Sequence, residues 1–354
     1  MSRLLASITT GLCVLAAPAL LYSAGSRSKP RLETTLVVPQ GWNALAVADL
    51  DANGKIDYVF MDQGRRTLRI YEQSKDSFAL TAALLLPEEV RGSSVGDVDG
   101  DGYPEMVTRG IFSSDVWIIE ARKQGGFGMR RMAMPMIFAT TAIADTDGDG
   151  KLEIVAGQSG FPTRMHRFIG DGNDRYKALP PHVGHGGELR PAFGDRPGSL
   201  VMVDTHFWRD VHRLRFYERG KLSISQAKAG MIPRAIVDMD GDGNLELLGR
   251  HYKGDKVLLE RVGNRFVERY RGRPGNCAGW ATVDVDGDGT EELPCIEGDR
   301  IVFKKLSDKG TTDVVDTGSS LRGFVGTMRV VARRGRRMIV RRTKHDWLLH
   351  VLRF

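Results

Sequence analysis

The chain is poor in cysteine, in aromatics and in long apolar runs. Three of its 354 residues are cysteine and 8% are aromatic. Three cysteines cannot form the dense disulfide framework of a small secreted scaffold. After residue 25 no apolar run is long enough to span a bilayer as a helix. No phosphate-cradling glycine loop is present. What the chain does hold is 42 glycines and 44 acids against 51 Lys and Arg, a formal net charge of +7. The acids are not scattered.

An acidic phrase recurs: Asp97-Val-Asp99-Gly-Asp101-Gly102, Asp145-Thr-Asp147-Gly-Asp149-Gly150, Asp238-Met-Asp240-Gly-Asp242-Gly243 and Asp284-Val-Asp286-Gly-Asp288-Gly289, with an earlier relative, Asp49-Leu-Asp51-Ala-Asn53-Gly54. Eight residues after each first Asp stands another acid: Asp57, Glu105, Glu153, Glu246 and Glu292. Oxygen donors on alternate residues followed by a turn-forming Gly suit a hard cation. Ca²⁺ takes about six to eight oxygens. The loops contain no Cys or His, which argues against zinc or copper, and magnesium prefers a water-rich octahedral shell. The loops are not EF-hands, which close with a Glu at position twelve between two helices. Here the acid stands at position nine, and strand-like runs such as Ala44–Ala48 and Asp57–Phe60 flank the loop. Each loop therefore reads as the tip of a β-hairpin.

The phrase is also a ruler. Its first Asp residues stand at 49, 97, 145, 238 and 284, in steps of 48, 48, 93 and 46. The double step predicts a degenerate fourth unit at Gly194–Val203, and one further period predicts a seventh at Gly326–Val331, with the other ligand acids lost. A second apolar strand recurs after the hairpins, as in Leu68-Arg-Ile-Tyr71 and Leu214-Arg-Phe-Tyr217. Four strands in about 46 residues is the size of a propeller blade. The expected fold is all-β, a seven-bladed β-propeller of four-stranded blades over residues 33–354. The lone strand Thr34–Val38 is expected to close the last blade beside the C-terminal strands, removing exposed sheet edges.

These repeats resemble the FG-GAP/VCBS repeats of integrin α-subunit propellers and of exported bacterial and fungal proteins. The resemblance covers about residues 33–354. It implies up to five structural Ca²⁺ ions at hairpin tips on one face. Their ligand sets are Asp49, Asp51, Asn53 and Asp57; Asp97, Asp99, Asp101 and Glu105; Asp145, Asp147, Asp149 and Glu153; Asp238, Asp240, Asp242 and Glu246; and Asp284, Asp286, Asp288 and Glu292. The neutral Asn53 should make the first site the weakest, and units four and seven should bind no ion.

Residues 1–25 read as an export signal: Arg3, an apolar run from Leu4 to Ala24, then Ser23-Ala24-Gly25 for cleavage. Residues 26–32 read as a linker. An uncleaved anchor over 4–24 is the alternative and the one expected route to membrane contact. The expected location is periplasmic or secreted. There Cys277 and Cys295, flanking the sixth hairpin, could bridge. A simple register, however, places Cys277 opposite about residue 299.

The five loops use 19 of the 44 acids, leaving 25 against 51 basic residues. Unit seven is the most basic, with Arg341 and Arg342 among eight cations. This suits an anionic partner, although a solvated basic hairpin explains it equally, and nucleic acid is not expected for an exported chain. The face opposite the acidic loops gathers Trp42, His182, His185, His206, Trp208, His212, His251 and His345. A rim of this kind suits a glycan or protein partner. The expected function is a monomeric, non-catalytic binding or adhesion module. A polysaccharide lyase or hydrolase using the His-rich face is the alternative. Gly92-Ser-Ser94-Val-Gly96 matches a nucleophile elbow, but that motif needs a helix after the Ser, and a strand is expected here. His182-Val-Gly-His185-Gly-Gly-Glu188 lacks the helix that would place its side chains on one face. Outside the five loops no paired carboxylates stand out for glycoside hydrolysis.

Overall fold

The computed structural model describes residues within 31–353, apart from short internal segments of which the longest are 317–327, 206–211, 194–198 and 159–163. The expected export signal lies outside the described residues. The first strand runs Arg31–Val38, so the end of the expected linker is already strand.

Unit one shows the repeating plan. Trp42–Ala48, Asp57–Asp62, Thr67–Ser74 and Ser77–Leu85 pair in chain order, each antiparallel to the next. The short connections between successive strands allow this meander. Four further sheets repeat the plan, covering Val90–Met132, Phe138–Val183, Glu188–Ala227 and Ile232–Gly272. Among the described residues the sixth sheet has three of the expected four strands, Leu293–Glu297, Arg300–Ser307 and Gly310–Asp316. The missing innermost strand would fall at about 278–283, most of which lies outside the described residues. In the last sheet Arg31–Val38 pairs antiparallel with Trp347–Arg353, beside Arg336–Arg342 and Met328–Arg333.

The first strand of one sheet packs against the first strand of the next. Trp42–Ala48 meets Val90–Gly96, which meets Phe138–Ala144, which meets Glu188–Phe193, which meets Ile232–Val237. The cores accordingly lie between sheets. Leu45, Val59, Leu68 and Ile70 of unit one pack with Met106, Trp117 and Ile119 of unit two. Val107, Val116 and Ile118 pack with Ile154 and Ala156 of unit three. Leu214 and Phe216 of unit four meet Leu247 and Leu259 of unit five, and Leu248 and Leu258 meet Leu293 and Leu306 of unit six. A strand covered on both faces should be apolar throughout rather than alternating. Asp57–Asp62 is buried at every position except the last, and the Asp57 carboxylate that opens it belongs to the loop. This arrangement is an all-β β-propeller. Among the described residues no helix is long and apolar enough to cross a membrane.

Gly92 sits at a register shift in the strand Val90–Gly96, with φ at +66°. Glycine adopts that conformation without steric cost. The Gly92–Gly96 motif is thus a bulged strand, not a strand-to-helix elbow.

Candidate metal centres

In units one, two, three and five the acidic loop joins the first and second strands, in unit six it leads into Leu293–Glu297, and in each the loop's own backbone folds it around the carboxylates. The first-position Asp accepts the amide of the sixth-position Gly: Gly54 to Asp49, Gly102 to Asp97 and Gly150 to Asp145 at 3.0 Å, Gly289 to Asp284 at 3.1 Å and Gly243 to Asp238 at 3.4 Å. Those glycines all have φ between +86° and +91°, a region that side chains with a Cβ disfavour. The fifth-position oxygen accepts the seventh-position amide, as Tyr103 donates to Asp101 at 2.9 Å and Asn244 to Asp242 at 2.7 Å. The ninth-position acid opens the second strand, or in unit six stands just before Leu293–Glu297, and reaches back to the second-position amide. Leu50 donates to Asp57, Val98 to Glu105, Thr146 to Glu153, Met239 to Glu246 and Val285 to Glu292, at 2.6 to 2.9 Å.

These bonds turn the remaining carboxylate oxygens inward. Oxygens of Asp97, Asp99, Asp101 and Glu105 lie within 4.8 Å of one another. The same holds for Asp49, Asp51 and Asp57; for Asp145, Asp147 and Asp149; for Asp238, Asp240 and Glu246; and for Asp284, Asp286 and Glu292. Three of the predicted sets are thus gathered only in part, since Glu153, Asp242 and Asp288 fall outside their groups; in the first set all three acids are gathered, and Asn53 carries no carboxylate.

The ninth-position acids are buried, at most 2% exposed. Burial pushes the carboxyls of Asp57, Glu105, Glu153 and Glu292 up to about 7 and that of Glu246 up to about 8, against the hydrogen bond each accepts. A buried carboxylate is costly unless a cation or donors compensate it. Glu246 Oε1 is buried with no hydrogen-bond partner, and so is Asp147 Oδ1. Beside Glu246, a cavity of about 310 Å³ is lined by Asp240, Glu260, Arg269 and Leu306. An all-oxygen donor set with buried, uncompensated carboxylate atoms fits a hard divalent cation. Calcium, with bonds of about 2.3–2.6 Å, can bridge oxygens so spaced.

The predicted partner rim is less coherent. Trp42 is half-buried and packs against Phe60 and Tyr71, with the Arg69 guanidinium 5.0 Å from its ring centre. His251 is 7% exposed; its Nδ1 accepts the Lys253 amide at 3.3 Å, and burial pushes its pKa below the usual value. It shapes a turn rather than facing a partner. His182 lies in the strand Tyr176–Val183 and His212 opens the strand His212–Glu218, not the loops expected for them. Arg341 and Arg342 end the strand Arg336–Arg342. The side chains of His182, His212, Arg341 and Arg342 lie outside the described residues, as do His185, His206, Trp208 and His345 entirely. Cys277 and Cys295 are joined in a disulfide. The simple register missed this because Cys277 lies in a coil, outside the strand pairing.

Sequence reasoning found the third strands but missed three of their side chains, Glu72, Arg167 and Lys305, which lie beside the loops. Asn53 Nδ2 and Lys55 Nζ each lie 2.6 Å from the Glu72 carboxylate. Arg167 approaches Asp147 and Glu153 at 3.5 and 3.8 Å, and Lys305 reaches Asp288 at 2.6 Å. Aligning the third strands of the units would have found them.

Residues 49–108, spanning the first two acidic loops, match the FG-GAP-like repeat family. No curated protein sequence matches the chain. Among solved structures, BBS1N in complex with ARL6DN, soaked with mercury, is similar at a TM-score of 0.59 and 10% identity, over 92% of this chain and 96% of that one. The Dos1 propeller is similar at a TM-score of 0.58 and 6% identity, over 87% and 78%. At such identities these likenesses speak to the fold. Together with the repeat match and the sheet plan, they describe a β-propeller that carries FG-GAP-like repeat sequence over residues 49–108.

Proposed function

We propose that this chain is an exported, calcium-stabilised propeller of seven blades that acts as a non-catalytic binding module for a glycan or protein partner. The observation that carries the calcium reading is the recurrence of one loop geometry in five units, each holding a buried ninth-position acid. One acidic turn is ordinary; five with the same internal hydrogen bonds are what an ion-holding repeat requires. The seven sheets support a seven-bladed ring, and Arg31–Val38 beside Trp347–Arg353 supports its closure by the ends of the chain. The Cys277–Cys295 bridge supports an oxidising compartment. When bound, calcium would supply charge compensation and loop rigidity rather than chemistry. Asp57, Glu105, Glu153, Glu246 and Glu292 would tie that rigidity to the second strands.

The binding role is supported by the family and by an architecture that puts loops at both ends of a rigid ring. BBS1N was solved with a protein, ARL6DN, bound to it. The test is a screen of the full chain on glycan arrays and by pull-down, in calcium and in chelator. Saturable capture that chelator abolishes is the expected result. Turnover of a glycan in place of stable capture would contradict the non-catalytic reading.

A further inference from the structure

The five loops share a backbone but not a setting, and the difference lies in the third strand of each unit. Across from the ninth-position acid stand Glu72 in unit one and Glu260 in unit five. Glu120, next after the Ile119 that faces Met106, takes the same place in unit two. In unit three that place is held by Ile169. In unit six it falls to Lys305, next after the Lys304 that faces Leu293.

Two residues away along the third strand, units one, two, five and six have Ile70, Ile118, Leu258 and Phe303, all buried. Unit three has Arg167 there, opposite Val155 and 9% exposed. Its Nη1 lies 3.0 Å from Thr146 Oγ1, 3.5 Å from Asp147 Oδ2 and 3.8 Å from Glu153 Oε1. Lys305 Nζ lies 2.6 Å from Asp288 Oδ2 and 3.6 Å from Glu292 Oε1. Glu153 and Asp288 are two of the acids that fall outside the gathered oxygen groups of their loops. A guanidinium has no place in an apolar register unless anions hold it. In these two units a cation of the chain itself already faces the loop acids.

Resting on the calcium reading above, we propose that Arg167 and Lys305 are built-in counter-ions that weaken divalent binding at the third and fifth acidic loops, so that calcium uptake is graded. Units two and five, with a carboxylate at all four loop positions, form the tightest sites; their third-strand acids Glu120 and Glu260 pair with Arg130 and Arg269. Unit one follows because Asn53 is neutral, but it ranks above units three and six, which revises the expectation that Asn53 alone makes it the weakest; its Glu72 pairs with Lys55 at 2.6 Å. Units three and six bind at least about tenfold more weakly than these three, since affinity at such sites tracks ligand charge. Arg167 has the larger effect of the two cations, being 11% exposed at its side chain against 29% for Lys305.

Calorimetric titration of the chelator-stripped full chain with calcium chloride tests this, with melting curves to establish folding. The wild type should show three tight sites and a weaker class. Arg167→Ile installs the residue type of the other units and should move one site into the tight class; Lys305→Glu should move another. Arg167→Lys keeps the charge and should move none. Five equivalent sites in the wild type, or folded Arg167→Ile and Lys305→Glu proteins that titrate like it, overturn the inference and leave the calcium reading standing. No calcium uptake by the wild type or by either variant overturns both.

Discussion

Glu246 accepts the Met239 amide at 2.6 Å through Oε2, while its Oε1 is buried with no hydrogen-bond partner. One carboxylate thus fastens the fifth unit's loop to the second strand and holds an oxygen ready for a cation. The same back-bond recurs in the other four loops. On the calcium reading it would link metal binding to blade stability.

Glu246→Gln should separate these roles. In calcium the variant loses a charged ligand and should be destabilised by about 1–3 kcal/mol. In chelator at pH 8 it should be neutral or slightly stabilising, because the amide removes a charge that burial disfavours. Urea melts in both conditions measure the pair, and an equal loss in both would assign Glu246 a purely structural role.

The metal-free chain should lose stability as pH rises from about 5 to 8.5. Burial pushes the five ninth-position carboxyls up to about 7 to 8 in the folded chain, above the ordinary values of 3.8 for Asp and 4.5 for Glu. Between those limits the folded state binds more protons than the unfolded one, so raising the pH favours unfolding. Saturating calcium should reverse the slope, since the ion needs the ionised form. Melting temperatures across this range, with and without chelator, give both slopes.

Ala52 has φ at +54° at the fourth loop position, where Gly100, Gly148 and Gly241 lie between +72° and +78°. Ala52→Gly should relieve a left-handed alanine and stabilise the chain by up to about 1 kcal/mol. Gly102→Ala, at φ +91° with open space around the added Cβ, should cost about 1 kcal/mol or more through the backbone alone. Chemical denaturation of both variants checks the opposite signs.

The Cys277–Cys295 bridge closes a separation of 18 residues. Replacing both with serine should cost about 3 kcal/mol on the chain-entropy account. A reductant should lower the melting temperature of the wild type and leave the double variant unchanged.

Much of this molecule was legible because its repeats carry their own scale. The period placed the hairpin of unit four where the strands Glu188–Phe193 and Ser199–Thr205 pair, although no ligand acid but Asp195 survives there. The orphan strand near Thr34 was legible because a lone strand needs an edge to pair with. The acids that the loops gather were legible from alternation and a ninth-position partner, whereas Glu153, Asp242 and Asp288 fall outside their groups. The settings of the loops were not. Arg167 and Lys305 are distant in sequence from the acids they meet, and only the register between second and third strands brings them there. His251 misled because a polar residue in a loop reads as exposed, whereas its turn folds over it. Composition describes a rim; burial decides which of its side chains a partner could touch.

The central claim is that calcium in the acidic loops holds the propeller together. Scanning calorimetry of the full chain in about 1 mM calcium and in excess chelator tests it most directly. The account predicts a melting temperature that rises with calcium concentration and falls sharply in chelator, with magnesium a poor substitute. Identical melting in calcium and in chelator would contradict it.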